Sequence, residues 1–209
     1  RRDAGGHGTW ERVMRGIALL DEWGVEWNAM ATINQANVHE PLAFYRFFRG
    51  TLGCRFLQFT PVVERENRHA DGRHLAHMLD EDCPLAPYSV RPAEWGAFLC
   101  AVFDEWVRRD VGETFVQTFD ATLAGWMGVE PGVCAYAGEC GHALVMEHNG
   151  DLYPCDHFVF PEYRLGNIMR EGLPQMAYGA RVEAFRRIKR EGLPTQCRRC
   201  PWLKACHGE

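Results

Sequence analysis

Apolar positions in the first part of the chain alternate between helical and extended spacing. Trp10, Val13, Met14, Ile17, Leu19 and Leu20 fall largely on one helical face, with Thr9 placed to cap the start and Gly24 to stop it, which predicts a helix over 9–23. Residues 25–33 (VEWNAMATI) alternate as a strand does, a second helix is predicted over 40–49, and RFLQFT (55–60) reads as another strand. Helix and strand alternating across short Gly-marked links is the grammar of parallel βα units. Residues 63–91 are polar, rich in His, Arg and Pro, and without periodicity, so they read as a loop insertion. A long helix over 92–109 follows, with Trp95, Phe98, Phe103 and Trp106 as its packing face, then a short strand at 114–118 and a helical stretch at 121–127.

After Gly132 the pattern changes. Short apolar runs at 143–147 and 151–154 flank His148-Asn149-Gly150, and an Asn-Gly pair in that setting predicts a hairpin. An extended piece at 164–168 and a helix at 180–190 lead to the final cysteines. The boundary is expected near 128–133, giving domains of 1–130 and 131–209.

Composition narrows the function. The 209 residues are 46% apolar, enough for a real core, and the net charge of −5 is spread without any basic run, which argues against nucleic acid as the partner. No apolar run approaches the roughly 20 residues needed to span a bilayer. The first residues carry no Met and no apolar leader, so more chain is expected upstream.

The nine cysteines change the picture most. An odd number without an export signal disfavours a disulfide framework and points to metal binding or catalysis. Cys54, Cys83 and Cys100 are scattered and read as unliganded; Cys134, Cys140, Cys155, Cys197, Cys200 and Cys206 crowd the last third. Cys197-Arg-Arg-Cys200 followed by Cys206 lets three thiols converge on one centre. Zinc or an iron–sulfur cluster usually takes about four thiolates. His207 is adjacent to Cys206 and poorly placed as the fourth ligand, so a further Cys past residue 209 is expected. Cys134, Cys140 and Cys155 form a second, equally incomplete group. His142 and His148 read as solvent-facing, and His69, His74 and His77 lie in the insertion, where contact with a substrate is one reading.

The block CGHALVMEHNGDLYPCDHFVFPEYRLGNI (140–168), with CRRCPWLKACHG (197–208), resembles the SPASM-type cluster domain of the anaerobic sulfatase-maturating enzymes. These are radical S-adenosylmethionine (SAM) enzymes that oxidise a Cys or Ser of a sulfatase to formylglycine. DAGGHGTWERVMRGIALL, VEWNAMATIN and FLQFTPVVER are similar to the last βα units of that family's partial (β/α)6 barrel, with 63–126 the most divergent stretch. The resemblance implies an α/β fold: C-terminal barrel units, then a small cysteine-rich SPASM domain with a β-hairpin. It implies two auxiliary [4Fe–4S] clusters, one on Cys134, Cys140 and Cys155 and one on Cys197, Cys200 and Cys206, each completed by a Cys beyond Glu209. It implies that Asp156 is the base that takes the proton of the substrate thiol or hydroxyl once the 5′-deoxyadenosyl radical has removed a hydrogen from Cβ. Arg1, Thr32 and Val63 fall where the family holds SAM.

The resemblance also implies a sulfatase polypeptide as partner, a monomer, and the cytoplasm of an organism living with little oxygen. The CxxxCxxC motif of the radical-generating cluster is absent, so these 209 residues alone are expected to be inactive and that cluster is expected upstream. Two other readings stay open. One is a different SPASM peptide-modifying enzyme, such as one forming thioether crosslinks. The other is a non-catalytic, zinc-stabilised binding module.

Overall fold

The computed structural model describes residues 2–68, 75–76 (backbone only), 82–141 and 143–208. Arg1, His69, His74, His77 and His142 lie outside the described residues. The chain divides into two compact units, Arg1–Thr118 and Phe119–Glu209.

The first unit is built on parallel strands. Helix α1 (Trp10–Glu22) runs into a left-handed Gly24 (φ 62°), and strand β1 (Asn28–Ile33) follows. Helix α2 (Pro41–Arg46) tightens into a π-helical turn (Phe47–Thr51) before strand β2 (Phe56–Pro61). Two residue pairs, β3 (Arg65–Glu66) and β4 (Leu75–Ala76), make an antiparallel ladder inside the insertion. Helix α3 (Pro92–Arg109) then leads to β5 (Phe115–Val116). The sheet order is β1-β2-β5, all parallel, with Asn28 opposite Phe56 and Leu57 opposite Val116. Each connection between neighbours passes through a helix, as parallel pairing requires.

Alternation decides which face packs. Ala31, Ile33, Leu57 and Phe59 are buried, and Phe98 of α3 meets Phe59 edge-on at 5.4 Å and Phe44 of α2 at 6.3 Å. Val102 and Trp106 continue the buried stripe of α3, whereas Phe103 is exposed, so the packing face excludes that residue. At the far end of α3, the carboxylate of Asp110 is buried. It accepts a hydrogen bond from Tyr45 Oη at 2.8 Å and pairs with Arg49. Burial and that neighbouring carboxylate push the Tyr45 hydroxyl far above its usual range. The apolar residues of α1 are not fully buried within the described residues.

Helix α4 (Gln117–Met127) begins four residues earlier than the sequence pattern indicates, with its first two residues in the first unit and the rest in the second. A 3-10 turn (Cys134–Tyr136) precedes the hairpin β6 (Val145–Met146) and β7 (Asp151–Tyr153), and β8 (Gly166–Asn167) adds on antiparallel. The predicted hairpin is present as a type I-like turn closed by Glu147 and Gly150, with Gly150 at φ 86°. Asp151 locks this corner: its carboxylate accepts from the Asn167 amide at 2.9 Å and the Asn149 amide at 3.0 Å. Helices α5 (Leu173–Ala177), α6 (Ala180–Glu191), α7 (Thr195–Arg198) and α8 (Leu203–Cys206) complete the unit. Its small core is Leu152, Leu165, Met176 and Val182.

Candidate iron–sulfur site

The thiols of the last third are set by loops that α6 holds in place. The Lys189 ammonium donates to the carbonyl of Ala135, and the Arg186 carbonyl accepts the Cys140 N–H at 3.2 Å. Arg190 pairs with Glu139 at 3.3 Å. Gly141 turns the chain at φ 76°, close enough to α6 that an added Cβ would sit 3.1 Å from Arg186 Cγ. The loop from Cys134 to Gly141 is therefore fastened to one helix at several points. Cys155 sits on the other flank, after β7, where a 3-10 turn (Asp156–Phe158) begins. Phe158 anchors that turn, edge-on to Phe185 of α6 at 5.1 Å.

Burial sets the direction at two of these sulfurs, and the Cys134 thiol adds the smallest of the upward pushes on both Cys140 and Cys155. Burial is the largest cause of the upward shift at Cys140 and Cys155, while Lys189 pulls Cys140 back down. Without iron, such thiols hold their protons; a cation that binds them must displace those protons. The Cys155 Sγ accepts the His157 N–H at 3.4 Å and lies 3.5 Å from Asp156 Oδ1. Asp156 itself is largely exposed, with His157 Nε2 3.9 Å from its Oδ2.

The second set lies on successive tight turns. The Cys200 N–H donates to the Cys197 carbonyl at 3.0 Å and the Leu203 N–H to the Cys200 carbonyl at 3.3 Å. Arg198 ties α7 to the end of α6 through the carbonyls of Leu193 (2.7 Å) and Glu191 (3.1 Å). His207 ends α8 in the left-handed region (φ 50°), which brings the Gly208 N–H back to within 3.5 Å of Cys206 Sγ. That conformation gives His207 a turn-forming role. Helix α8 lies against the Cys134–Tyr136 turn, so both thiol sets occupy one region of the second unit. It also seats on α4, where Lys204 caps the Trp126 ring at 4.2 Å and Trp202 meets that ring edge-on at 5.8 Å.

Among the described residues, no three His, Cys, Asp or Glu side chains are grouped to hold a single metal ion. A zinc site needs thiolates about 3.8 Å apart, because each Zn–S bond is about 2.3 Å. A four-iron cluster takes each thiolate on a different iron, so its ligands ring a larger volume. Five of the six late thiols are half-buried and Cys134 is exposed, and backbone N–H groups stand 3.4 and 3.5 Å from the Cys155 and Cys206 sulfurs, donors suited to thiolates bound in an anionic centre.

Thr32 and Val63 belong to the first unit. Thr32 is exposed near the carboxyl end of β1, and its carbonyl accepts from the Asn37 side chain at 3.0 Å. Val62 is clamped between the Ile33 carbonyl and the Val90 N–H, both at 2.8 Å, and this leaves Val63 exposed just past β2. Cys54 and Cys83 are buried and Cys100 is exposed; Cys54 donates to the Phe56 carbonyl at 3.2 Å. His148 is exposed. Sequence reading missed Lys189 and Gly125. The available signals were a lysine one turn from the end of a basic helix and a glycine inside an otherwise apolar one.

Comparison with known proteins identifies relatives along the whole chain. Residues 138–201 match the SPASM family, described as an iron–sulfur cluster-binding domain. A serine-type anaerobic sulfatase-maturating enzyme of Bacteroides thetaiotaomicron is 53% identical over 210 residues, covering 100% of this chain and 50% of the relative. A cysteine-type enzyme of Clostridium novyi is 27% identical over 99% of the chain and 52% of its own length. The solved structure of native anSMEcpe with bound AdoMet and Kp18Cys peptide is similar with a TM-score of 0.77 and 25% identity, covering 100% of this chain and 54% of that one. The chain thus spans about half the length of the curated relatives it matches. No helix among the described residues is long and apolar enough to cross a membrane.

Proposed function

We propose that this chain, a homologue over its whole length of the anaerobic sulfatase-maturating enzymes, supplies the later βα units and the cluster domain of such an enzyme. The reaction is oxidation of a Cys or Ser side chain in a sulfatase polypeptide to formylglycine. The observation that carries this reading is the junction at Cys155-Asp156. There a half-buried thiol and an exposed carboxylate share one 3-10 turn, inside the stretch that matches an iron–sulfur cluster-binding family.

The cluster domain is taken as 131–209 and the barrel part as 1–130. Cys134, Cys140 and Cys155 would hold one [4Fe–4S] cluster and Cys197, Cys200 and Cys206 the other. When bound, the clusters and SAM supply radical hydrogen abstraction and electron transfer. The protein's own contribution is to bind, orient and deprotonate. Asp156 is exposed enough to reach a peptide and accepts the proton of its thiol or hydroxyl, so that the carbon–heteroatom double bond can form. Thr32 and Val63, exposed at the carboxyl ends of parallel strands, contact SAM, as ligand-facing residues of such sheets do; Arg1 is assigned with them from sequence alone. The 53% identity to a serine-type enzyme supports serine as the target residue. No CxxxCxxC motif occurs among the nine cysteines, so radical generation falls to residues outside these 209. A monomer in an oxygen-poor cytoplasm completes the reading.

The test is Asp156→Asn in the complete enzyme that contains this chain. Iron content should equal wild type while conversion of a sulfatase peptide, followed by mass spectrometry under anaerobic conditions, falls by roughly 10²–10⁴-fold, the usual weight of a general base. Unchanged turnover would remove Asp156 from the chemistry. Failure of the wild-type enzyme to convert either a Ser or a Cys peptide would remove the activity.

A further inference from the structure

Helix α6 carries five cations: Arg181 and Lys189 are held by backbone carbonyls, Arg181 by those of Arg164 and Leu165, and the other three by carboxylates. Arg186 pairs with Glu183, Arg187 with Glu191 at 3.3 Å, and Arg190 with Glu139 at 3.3 Å. Lys189 has no carboxylate partner among the described residues. Its ammonium is half-buried and makes one hydrogen bond, to the carbonyl of Ala135, a residue 54 positions away and adjacent to Cys134. An ammonium has three donors, so two remain for another acceptor. One turn earlier on the same helix, the Arg186 carbonyl fixes the Cys140 N–H at 3.2 Å. The positive charge is thus anchored on the residue that follows Cys134, on the same helix that fixes the Cys140 backbone, and it acts against the upward push of burial on the Cys140 thiol.

A half-buried lysine without a counter-ion is costly unless an anion completes its surroundings. A thiolate-bound four-iron cluster is such an anion, and its reduction adds one more negative charge. We propose that Lys189 is a positioning and charge-compensating residue for the cluster on Cys134, Cys140 and Cys155, holding the loop through Ala135 and stabilising the reduced cluster through its ammonium. Potentials of these clusters respond to nearby charge and to hydrogen bonds at the sulfurs. A cation at this place raises the potential of the cluster on Cys134, Cys140 and Cys155 more than that of the other. The balance is that of an outer-sphere one-electron reduction: the cluster gains an electron from an added reductant, dithionite in the test, and no bond forms or breaks.

This inference rests on the iron–sulfur reading, and the experiment separates the two. The complete enzyme that contains this chain is reconstituted anaerobically with iron and sulfide as wild type, Lys189→Met, Lys189→Gln, Lys189→Arg and Arg187→Gln, and each is titrated potentiometrically with spectroscopic detection. Lys189→Gln keeps a donor for Ala135 but loses the charge, so loop anchoring and charge are distinguished. The expected result is that one cluster component moves further to lower potential than the others in Lys189→Met and Lys189→Gln, with Lys189→Arg close to wild type and Arg187→Gln unmoved. Iron loss to a chelator should be roughly 10- to 100-fold faster in Lys189→Met, the range typical of outer-shell partners. Equal potentials and equal iron retention across all five proteins would overturn the inference while leaving the clusters in place. Equal shifts in Lys189→Gln and Arg187→Gln would also overturn it, since any charge on α6 would then serve. A complete wild-type enzyme whose Cys134, Cys140 and Cys155 site takes up no iron and sulfide would overturn both readings.

Discussion

Gly125→Ala should destabilise the second unit although alanine is the better helix former. Gly125 lies inside α4, where Ala is favoured over Gly by about 0.8–1.0 kcal/mol. An added Cβ would stand 2.7 Å from the Ala205 carbonyl oxygen and 3.0 Å from its Cα, both backbone atoms of α8. Ordinary contact needs about 3.5 Å, so α8 would have to retreat by about 0.8 Å at that point. Such overpacking typically costs about 1–3 kcal/mol. Gly96→Ala is the matched control, because Gly96 lies inside α3 and nothing stands within 4 Å of its added Cβ. Both substitutions gain the same helix propensity, so the difference between them isolates the clash, about 1–3 kcal/mol. Urea unfolding of the iron-free chain measures it: Gly96→Ala should raise the midpoint and Gly125→Ala should not. Because α8 ends in Cys206, Gly125→Ala should also retain less iron after anaerobic reconstitution, whereas Gly96→Ala should match wild type. Equal stabilisation by both, with equal iron, would refute the close seat of α8 on α4.

Two other outcomes follow from buried or linked polar groups. Tyr45→Phe removes a donor from the buried Asp110 carboxylate and should cost about 1.5–3 kcal/mol in urea unfolding, the range for hydrogen bonds to charged groups. Asp151 is held below the usual carboxylate range, first by the Asn167 amide and further by Asn149 and Arg164. Its contribution is therefore present above its unfolded value of about 3.9 and is lost as pH falls through the lower folded value. An acid titration of stability should show that limb in wild type, and Asp151→Asn should flatten it.

The local signals in the sequence were reliable where structure is local. The 92–109 helix matched residue for residue, since Pro92 suits its first turn and Phe98, Val102 and Trp106 repeat at helical spacing. The Asn149-Gly150 turn was equally legible, because only a left-handed residue closes it. Strand limits were not. The pattern ran from 25, but β1 begins at Asn28 because its partner begins at Phe56. Likewise β5 spans two residues, the length over which β2 pairs with it, and α4 starts where that pairing stops. The β3–β4 ladder was invisible for the same reason: its two halves stabilise one another and neither is a strand alone.

Composition and spacing by themselves singled out six late cysteines and a hairpin beside one of them, since residue type and short-range order are written in the chain; Asp156 was marked only by the family resemblance. Only the tertiary structure decided that the Cys140 backbone is held by the Arg186 carbonyl of α6. It also decided that α8 rests on a glycine of α4, and that a lysine 54 residues away guards the first thiol loop. Those relations depend on packing between distant segments, and the free energy that fixes them comes from surfaces that meet only once the chain has closed on itself.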